Sequence, residues 1–317
     1  MKMIIDCDTG IDDSIAILFA LKHPEIRVMG ITTGFGNCSA EQAAENSIRL
    51  VKLANPGYTV PVAIGAKGPL VGEWEGPVPH IHGPNGIGGV ELAASEQVPS
   101  ELAADELILK LVRENPGEIT IVTLGRMTNL YHALQKEPAL PRMVERVVSM
   151  GGSVFASGNA TPTSEANIIG DPEAADAVLM AGFEMTLVGL DVTMKTHLHR
   201  SQLDIMLEKY VEEENRPIVE YMREALTFYY NFNRRADNYL DYCPVHDPLA
   251  VLCAVNPVDF TFKRLRCRVE LEGRYTRGMI VHGCRQHPLP EAPFTWVCTD
   301  VNGDDAIQAI LAVFTAE

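Results

Sequence analysis

The 317-residue chain has no apolar run long enough to span a bilayer, so a helical membrane protein is not expected. It is also short of positive charge: 26 Lys and Arg stand against 42 Asp and Glu, a formal net charge of −16. Nucleic-acid polymers and anionic membranes are held by basic surfaces, so neither is an expected partner, whereas a small neutral substrate remains open. There is no Cys-x-x-Cys pair, and the seven cysteines (7, 38, 243, 253, 267, 284, 298) are odd in number and scattered. That pattern predicts reduced thiols in a cytoplasmic protein rather than a disulfide framework or a zinc site. The first residues, Met1-Lys2-Met3-Ile4-Ile5, run straight into acids without the apolar core of a secretory signal. No repeat, low-complexity tract or linker interrupts the chain, and one domain over 1–317 is the simplest division. A hydrophobic content of 46% supplies core enough for an ordinary soluble protein.

What the chain does have is a concentration of acids. Asp6, Asp8, Asp12 and Asp13 fall within eight positions, after the apolar run 3–5 and before the apolar run 15–21. The pattern reads as a buried strand, a tight turn at Gly10 and a helix starting near Asp12. Asp12 and Asp13 then lie at the positive end of that helix, where negative side chains are favoured. Asp6 and Asp8, two apart at a strand end, point the same way. Their mutual repulsion calls for a cation, and hard oxygen ligands suit Ca²⁺ or Mg²⁺ better than zinc. Solvated loop acids and helix caps explain two such residues more readily than four. In open α/β sheets, ligands bind beyond the carboxyl ends of the strands, which is where these acids would lie.

Strand and helix then alternate. Residues 27–33 read as a strand, Ser39-Ala40-Glu41-Gln42 as a capping box opening a helix to about 54, and 60–64 as a strand. This rhythm implies parallel βαβ units with right-handed crossovers. The Gly- and Pro-rich stretch 66–98 breaks it and carries His80 and His82, for which packing or surface roles are the default. A helix at 101–114, a strand at 119–124, a helix 130–136 capped by Thr128 and a strand at 147–150 follow. The polar stretch 157–167 offers Asn159, Glu165 and Asn167, short groups suited to a polyhydroxyl ligand, although turn chemistry accounts for Asn159 equally well. Asp171-Pro172 opens a helix, 186–190 is a strand ending before Asp191, and 200–212 and 216–232 read as helices. The aromatic stripe 228–232 has the form of core, with Tyr229 or Tyr230 as a candidate for stacking on a base. His246-Asp247-Pro248 precedes an apolar helix with Pro248 at its first position, and Asp247 is placed to join the first acid cluster. Antiparallel strands in 259–299, turning near Glu272-Gly273, and a helix over 304–315 complete the chain. The predicted fold class is α/β: an open, mostly parallel, Rossmann-like sheet flanked by helices, with a small antiparallel addition near the C-terminus.

The segment Asp6-Cys7-Asp8-Thr9-Gly10-Ile11-Asp12-Asp13 resembles the signature of the inosine-uridine preferring nucleoside hydrolases. The resemblance continues through 31–37, His82-Gly83, 124–129, 150–152, 159–167, 171–175 and His246-Asp247-Pro248, in family order over about 4–250. It implies Ca²⁺-dependent hydrolysis of the N-glycosidic bond of ribonucleosides to free base and ribose, by a homodimer or homotetramer. Carried onto this chain, it makes Asp8, Asp13, Asp247 and the carbonyl of Leu124 the calcium ligands, and Asp8 the general base acting on the attacking water. Asp12, Asn37, Asn159, Glu165, Asn167 and Asp247 match the ribose contacts, and Asp6 a position that supports the loop. His246 is the expected general acid for the leaving base, since an unperturbed histidine titrates near neutrality. His82 matches a base-pocket position, leaning toward inosine and uridine or pyrimidine nucleosides.

Three positions depart from the family pattern: Thr9 and Arg126 stand where Pro is usual, and Ala166 where an aromatic is often found. Thr9 and Arg126 are expected to change only backbone stiffness, whereas Ala166 removes a wall of the nucleoside pocket and bears on base preference. Two acids two apart after a strand also occur in haloacid-dehalogenase-like phosphatases, but Gly10 stands where that motif has Thr or Val, and Asp12-Asp13 is not part of it. A non-catalytic nucleoside- or calcium-binding protein is the remaining alternative.

Overall fold

The structure is a computed structural model and describes residues 1–235 and 242–315. Its strands are β1 Lys2–Cys7, β2 Arg27–Thr33, β3 Val62–Ile64, β4 Ile119–Thr123, β5 Arg146–Met150, β6 Met185–Val188, β7 His197–Leu198, β8 Cys243–Pro244, β9 Phe260–Val269, β10 Ile280–His282 and β11 Phe294–Val301. Nine of them form one sheet in the order β10-β9-β11-β6-β5-β4-β1-β2-β3, and β7 and β8 pair separately. From β6 to β3 every neighbour is parallel, and β11 joins β6 in the same sense. β9 runs antiparallel to β11, and β10 antiparallel to β9. The antiparallel addition predicted near the C-terminus is therefore an extension of the main sheet's edge.

The chain leaves β1 toward β2 and β3 on one side and returns to β4, β5 and β6 on the other, so strand order reverses between β1 and β4. Such a reversal opens a crevice at the carboxyl ends of the strands, where ligands of open α/β sheets bind. Strands buried on both faces need apolar residues on both. In β1, Met3 and Ile5 pack into one core and Ile4 into the other. The first core is covered by α1 Ile11–Lys22, α2 Ala40–Ala54 and the later helices α10 Arg216–Arg235 and α11 His246–Val255. The second lies under α4 Ala104–Glu114, α5 Thr128–Lys136 and α7 Pro172–Met180. The remaining helices are α3 Pro79–His82, α6 Ala166–Gly170, α8 Leu190–Thr193, α9 Arg200–Lys209 and α12 Gly303–Ala312. None among the described residues is long and apolar enough to cross a membrane.

Local departures from the sequence reading have identifiable causes. Thr128 is the first residue of α5 rather than its cap, because its hydroxyl donates to Asp171 Oδ2 at 2.6 Å. Ser39 caps α2 through Gln42 N at 3.2 Å, but the Gln42 side chain turns to Asn46, so only half of the capping box forms. The strand expected over 186–190 stops at Val188, and Asp191 lies within α8. Pro248 is the third residue of α11, not the first, which brings His246 and Asp247 into its opening turn.

Candidate active site

Three chain segments meet at the carboxyl ends of β1 and β4. Gly10 closes the turn between β1 and α1 tightly enough that a Cβ there would strike Asn37 and His82. That turn hands Asp13 back onto the strand end: its Oδ2 accepts from Gly10 N at 2.8 Å and its Oδ1 from Asp8 N at 3.2 Å. Asp8 is almost fully buried; Asn37 donates its backbone N to Oδ2 (2.9 Å) and its amide to Oδ1 (3.1 Å), and the same amide reaches Asp13 Oδ2 at 3.0 Å. From the far end of the chain, the first turn of α11 brings in Asp247. Asp12, Asp13 and Asp247 each present an oxygen within 4.8 Å of the others, all of them buried.

Burial, and then their neighbours' charges, work against ionisation of these acids. Asp12 is pushed up to about 7, and Asp13 and Asp247 well above the usual carboxylate range, by removal from water and by the repulsion of the remaining acids. A cluster of hard oxygen donors held together against such repulsion fits a divalent cation of the Ca²⁺ or Mg²⁺ kind. Asp6, below them, accepts from Thr32 Oγ1 (2.6 Å) and Asn129 Nδ2 (2.8 Å) and ties β1 to its neighbours.

The other candidates arrange themselves around this cluster. Glu165 caps α6, its carboxylate accepting from Asn167 N (2.8 Å), Gly152 N (2.9 Å) and Ile168 N (3.2 Å). Asn167 donates to the Leu124 carbonyl at 2.7 Å, joining the polar loop to the end of β4. Asn159 stays on the exposed side of that loop, where its Oδ1 accepts from Ala166 N at 3.0 Å. His82 accepts from Ile11 N through Nδ1 at 3.1 Å, and burial, then Arg126, pulls it down to about 3. It is therefore neutral at pH 7, with its proton on Nε2. His246 has Nδ1 at 2.7 Å from Thr193 Oγ1, and burial pulls it down to about 4, well below the neutral value expected from sequence. Of the two tyrosines, Tyr229 lies 5.9 Å from the His82 ring and faces the acids, whereas Tyr230 donates to the Leu198 carbonyl at 2.9 Å.

The model of the family described as inosine-uridine preferring nucleoside hydrolase matches residues 3–312. The chain belongs to that family. It is 38% identical to Uridine nucleosidase 1 of Arabidopsis thaliana over 273 residues, 86% of this chain and 79% of the relative. Among solved structures, the plant nucleoside hydrolase PpNRh1 superposes with a TM-score of 0.92 at 32% identity, over 100% of this chain and 99% of that one. A purine-preferring ribonucleoside hydrolase from Gardnerella vaginalis gives 0.90 at 30% identity, over 99% and 98%. The chain is accordingly a ribonucleoside hydrolase, an N-glycosidase acting on small nucleosides, and the phosphatase and non-catalytic readings fall.

Against the family pattern, two residues do more than sequence reasoning assigned them. Thr9 does not merely relax the turn: its hydroxyl lies 2.8 Å from Ser47 Oγ, linking the nucleoside hydrolase signature to α2. Arg126 is not a matter of backbone stiffness either, since its guanidinium pairs with Asp8 Oδ2. Thr193 also escaped the sequence reading, and Asp191 was read there only as the residue after a strand. The Asp191 carboxylate accepts from Val154 N, Phe155 N and Ala156 N at 2.7–3.1 Å and so holds the start of the loop that leads to Glu165.

Proposed function

We propose that this ribonucleoside hydrolase works with Ca²⁺ and favours inosine and uridine, or pyrimidine nucleosides. The observation that carries the metal reading is the convergence of Asp247 with Asp12 and Asp13 in one buried group beside Asp8. Asp8, Asp13, Asp247 and the Leu124 carbonyl would hold the ion. When bound, the cation supplies charge that lowers the pKa of a coordinated water and grips sugar hydroxyls.

The protein's own groups do the rest. Glycosidic C–N cleavage passes through a sugar with oxocarbenium character, which buried carboxylates around the ribose stabilise. Asp12, Asn37, Asn159, Glu165, Asn167 and Asp247 bind and orient the ribose, and fixing that geometry lowers the barrier by about 7 kcal/mol or more. Asp8 takes the proton of the attacking water. His246 and His82, both neutral at pH 7, stand to hydrogen-bond the departing base, with Tyr229 as the adjacent aromatic wall. The leaning toward uridine rests on His82 and on similarity to a relative named for that nucleoside.

A reducing-sugar assay with uridine, cytidine, inosine and adenosine, with and without a calcium chelator, tests this. Ribose release from uridine and inosine, abolished by chelation and restored by calcium, is expected. Undiminished turnover in chelator rejects the metal reading, and adenosine as the best substrate rejects the base preference. In the same reading the chain acts as a homodimer or homotetramer, and a monomeric mass by sedimentation rejects that.

A further inference from the structure

Arg126 follows Gly125 just past the carboxyl end of β4, and its side chain runs along the sheet edge to the acid cluster. Its Nη1 pairs with Asp8 Oδ2 and stands 3.5 Å from Asn167 Oδ1, and the guanidinium carbon lies 5.9 Å from the Phe35 ring centre. The slot it occupies is walled by glycine on two sides. A Cβ on Gly36 would strike Nη1 and Asp8 together, and one on Gly170 would strike Nε. Nε itself is buried without a hydrogen-bond partner, so the guanidinium is held in place by its carboxylate more than by a cage of acceptors. Among the described residues no other Lys or Arg pairs with Asp8, Asp12, Asp13, Glu165 or Asp247.

Arg126 and a divalent ion held by Asp8 would therefore compete for one carboxylate. The two Asp8 oxygens already accept from Asn37, and a lone pair given to the guanidinium is withheld from a metal. A fixed positive charge at that distance also repels an arriving cation. We propose that Arg126 is a built-in counter-cation that competes with the divalent ion for Asp8, holding the metal-free site together and weakening metal binding to it. The inference rests on the calcium reading given under Proposed function. Metal entry then requires the guanidinium to give up Asp8 Oδ2, with Asn167 Oδ1, 3.5 Å from Nη1, as an alternative acceptor.

Calorimetric titration of calcium into the metal-stripped full chain, compared with Arg126→Leu and Arg126→Lys, reads this directly. Arg126→Leu should bind calcium about tenfold more tightly or better, and Arg126→Lys, which keeps the charge, should stay near the parent. The metal-free Leu variant should also melt below the parent, with a larger rise on adding calcium. If Arg126→Leu does not fold, Arg126→Gln, which drops the charge and keeps a polar head, should show the same tightening. Binding by the parent with an equal or weaker Kd in the uncharged variants overturns this proposal alone. No binding heat from parent or variants overturns the calcium reading and this proposal with it.

Discussion

The hydroxyl of Thr193 lies 2.7 Å from Nδ1 of His246 and has no other hydrogen-bond partner among the described residues. Burial keeps His246 neutral at pH 7, so the ring carries one proton. A hydroxyl whose hydrogen has no other acceptor satisfies it by donating to Nδ1, which leaves the proton on Nε2. Thr193 thus sets which nitrogen is able to donate to a leaving base. Thr193→Val should lower kcat on uridine about tenfold to a hundredfold with little change in KM. A nitrophenyl riboside, whose phenolate leaves without a proton, should keep its kcat. Equal losses on both substrates would assign Thr193 a purely structural role.

Four of the proposed ribose contacts come from buried groups: Asp12, Glu165, Asn167 and Asp247 are all less than a tenth exposed. A site built to bond a hydroxyl penalises a substrate lacking it, because its own buried polar group is left unpaired. Deoxyuridine should be cleaved with a kcat/KM about a hundredfold or more below that of uridine. Comparable steady-state values for the two would remove the ribose hydroxyls from the recognition scheme.

Some of this was legible in the sequence. The apolar runs on either side of Asp6 to Asp13 placed β1 and α1 to within a residue or two, and the strand–helix alternation implied a parallel sheet with its ligand edge at the carboxyl ends. Asp247 could be offered to the first acid cluster because a helix start and a strand end both belong at that edge. Arg126 could not be placed, since nothing in Leu-Gly-Arg shows where a long flexible side chain lands; the slot beside Gly36 and Gly170 exists only once three loops have met. The state of His246 was out of reach for a similar reason: its neutral pKa expectation used the free residue, and burial overrode it. The bond from Ala166 N to Asn159 Oδ1 was not legible either, because it depends on how the loop 159–167 folds back on itself.

Asp6 tests whether the loop is supported by charge or by hydrogen bonding. Burial pushes its carboxyl up to about 7, yet Oδ1 accepts from both Thr32 and Asn129. Asparagine keeps an oxygen for both donors, and alanine strands them. Asp6→Ala should lose about 2–3 kcal/mol in denaturant unfolding, and Asp6→Asn less than about 1 kcal/mol. A loss in Asp6→Asn as large as in Asp6→Ala would show that the charge matters more than the bonds.

Calcium and pH should act on stability as one linked system. In the metal-free protein Asp6 and Asp12 are raised to about 7 from an ordinary value of 3.8, and burial lifts Asp13 and Asp247 well above that ordinary value too. Above 3.8 the folded state therefore holds more protons than the unfolded one, so this stabilising contribution is complete below that pH and is lost as pH climbs through 7. His82 and His246 oppose it: lowered from 6.5 to about 3 and about 4, their contribution is complete above 6.5 and is lost as pH falls toward 4. Four acids outweigh two histidines, so metal-free stability should decline from pH 5.5 to pH 8. A bound divalent ion takes over the charge neutralisation that protons provided. Saturating calcium should raise Tm more at pH 8 than at pH 5.5, by about 5 °C or more in differential scanning calorimetry. An equal rise at both pH values would mean that the buried acids do not hold the ion.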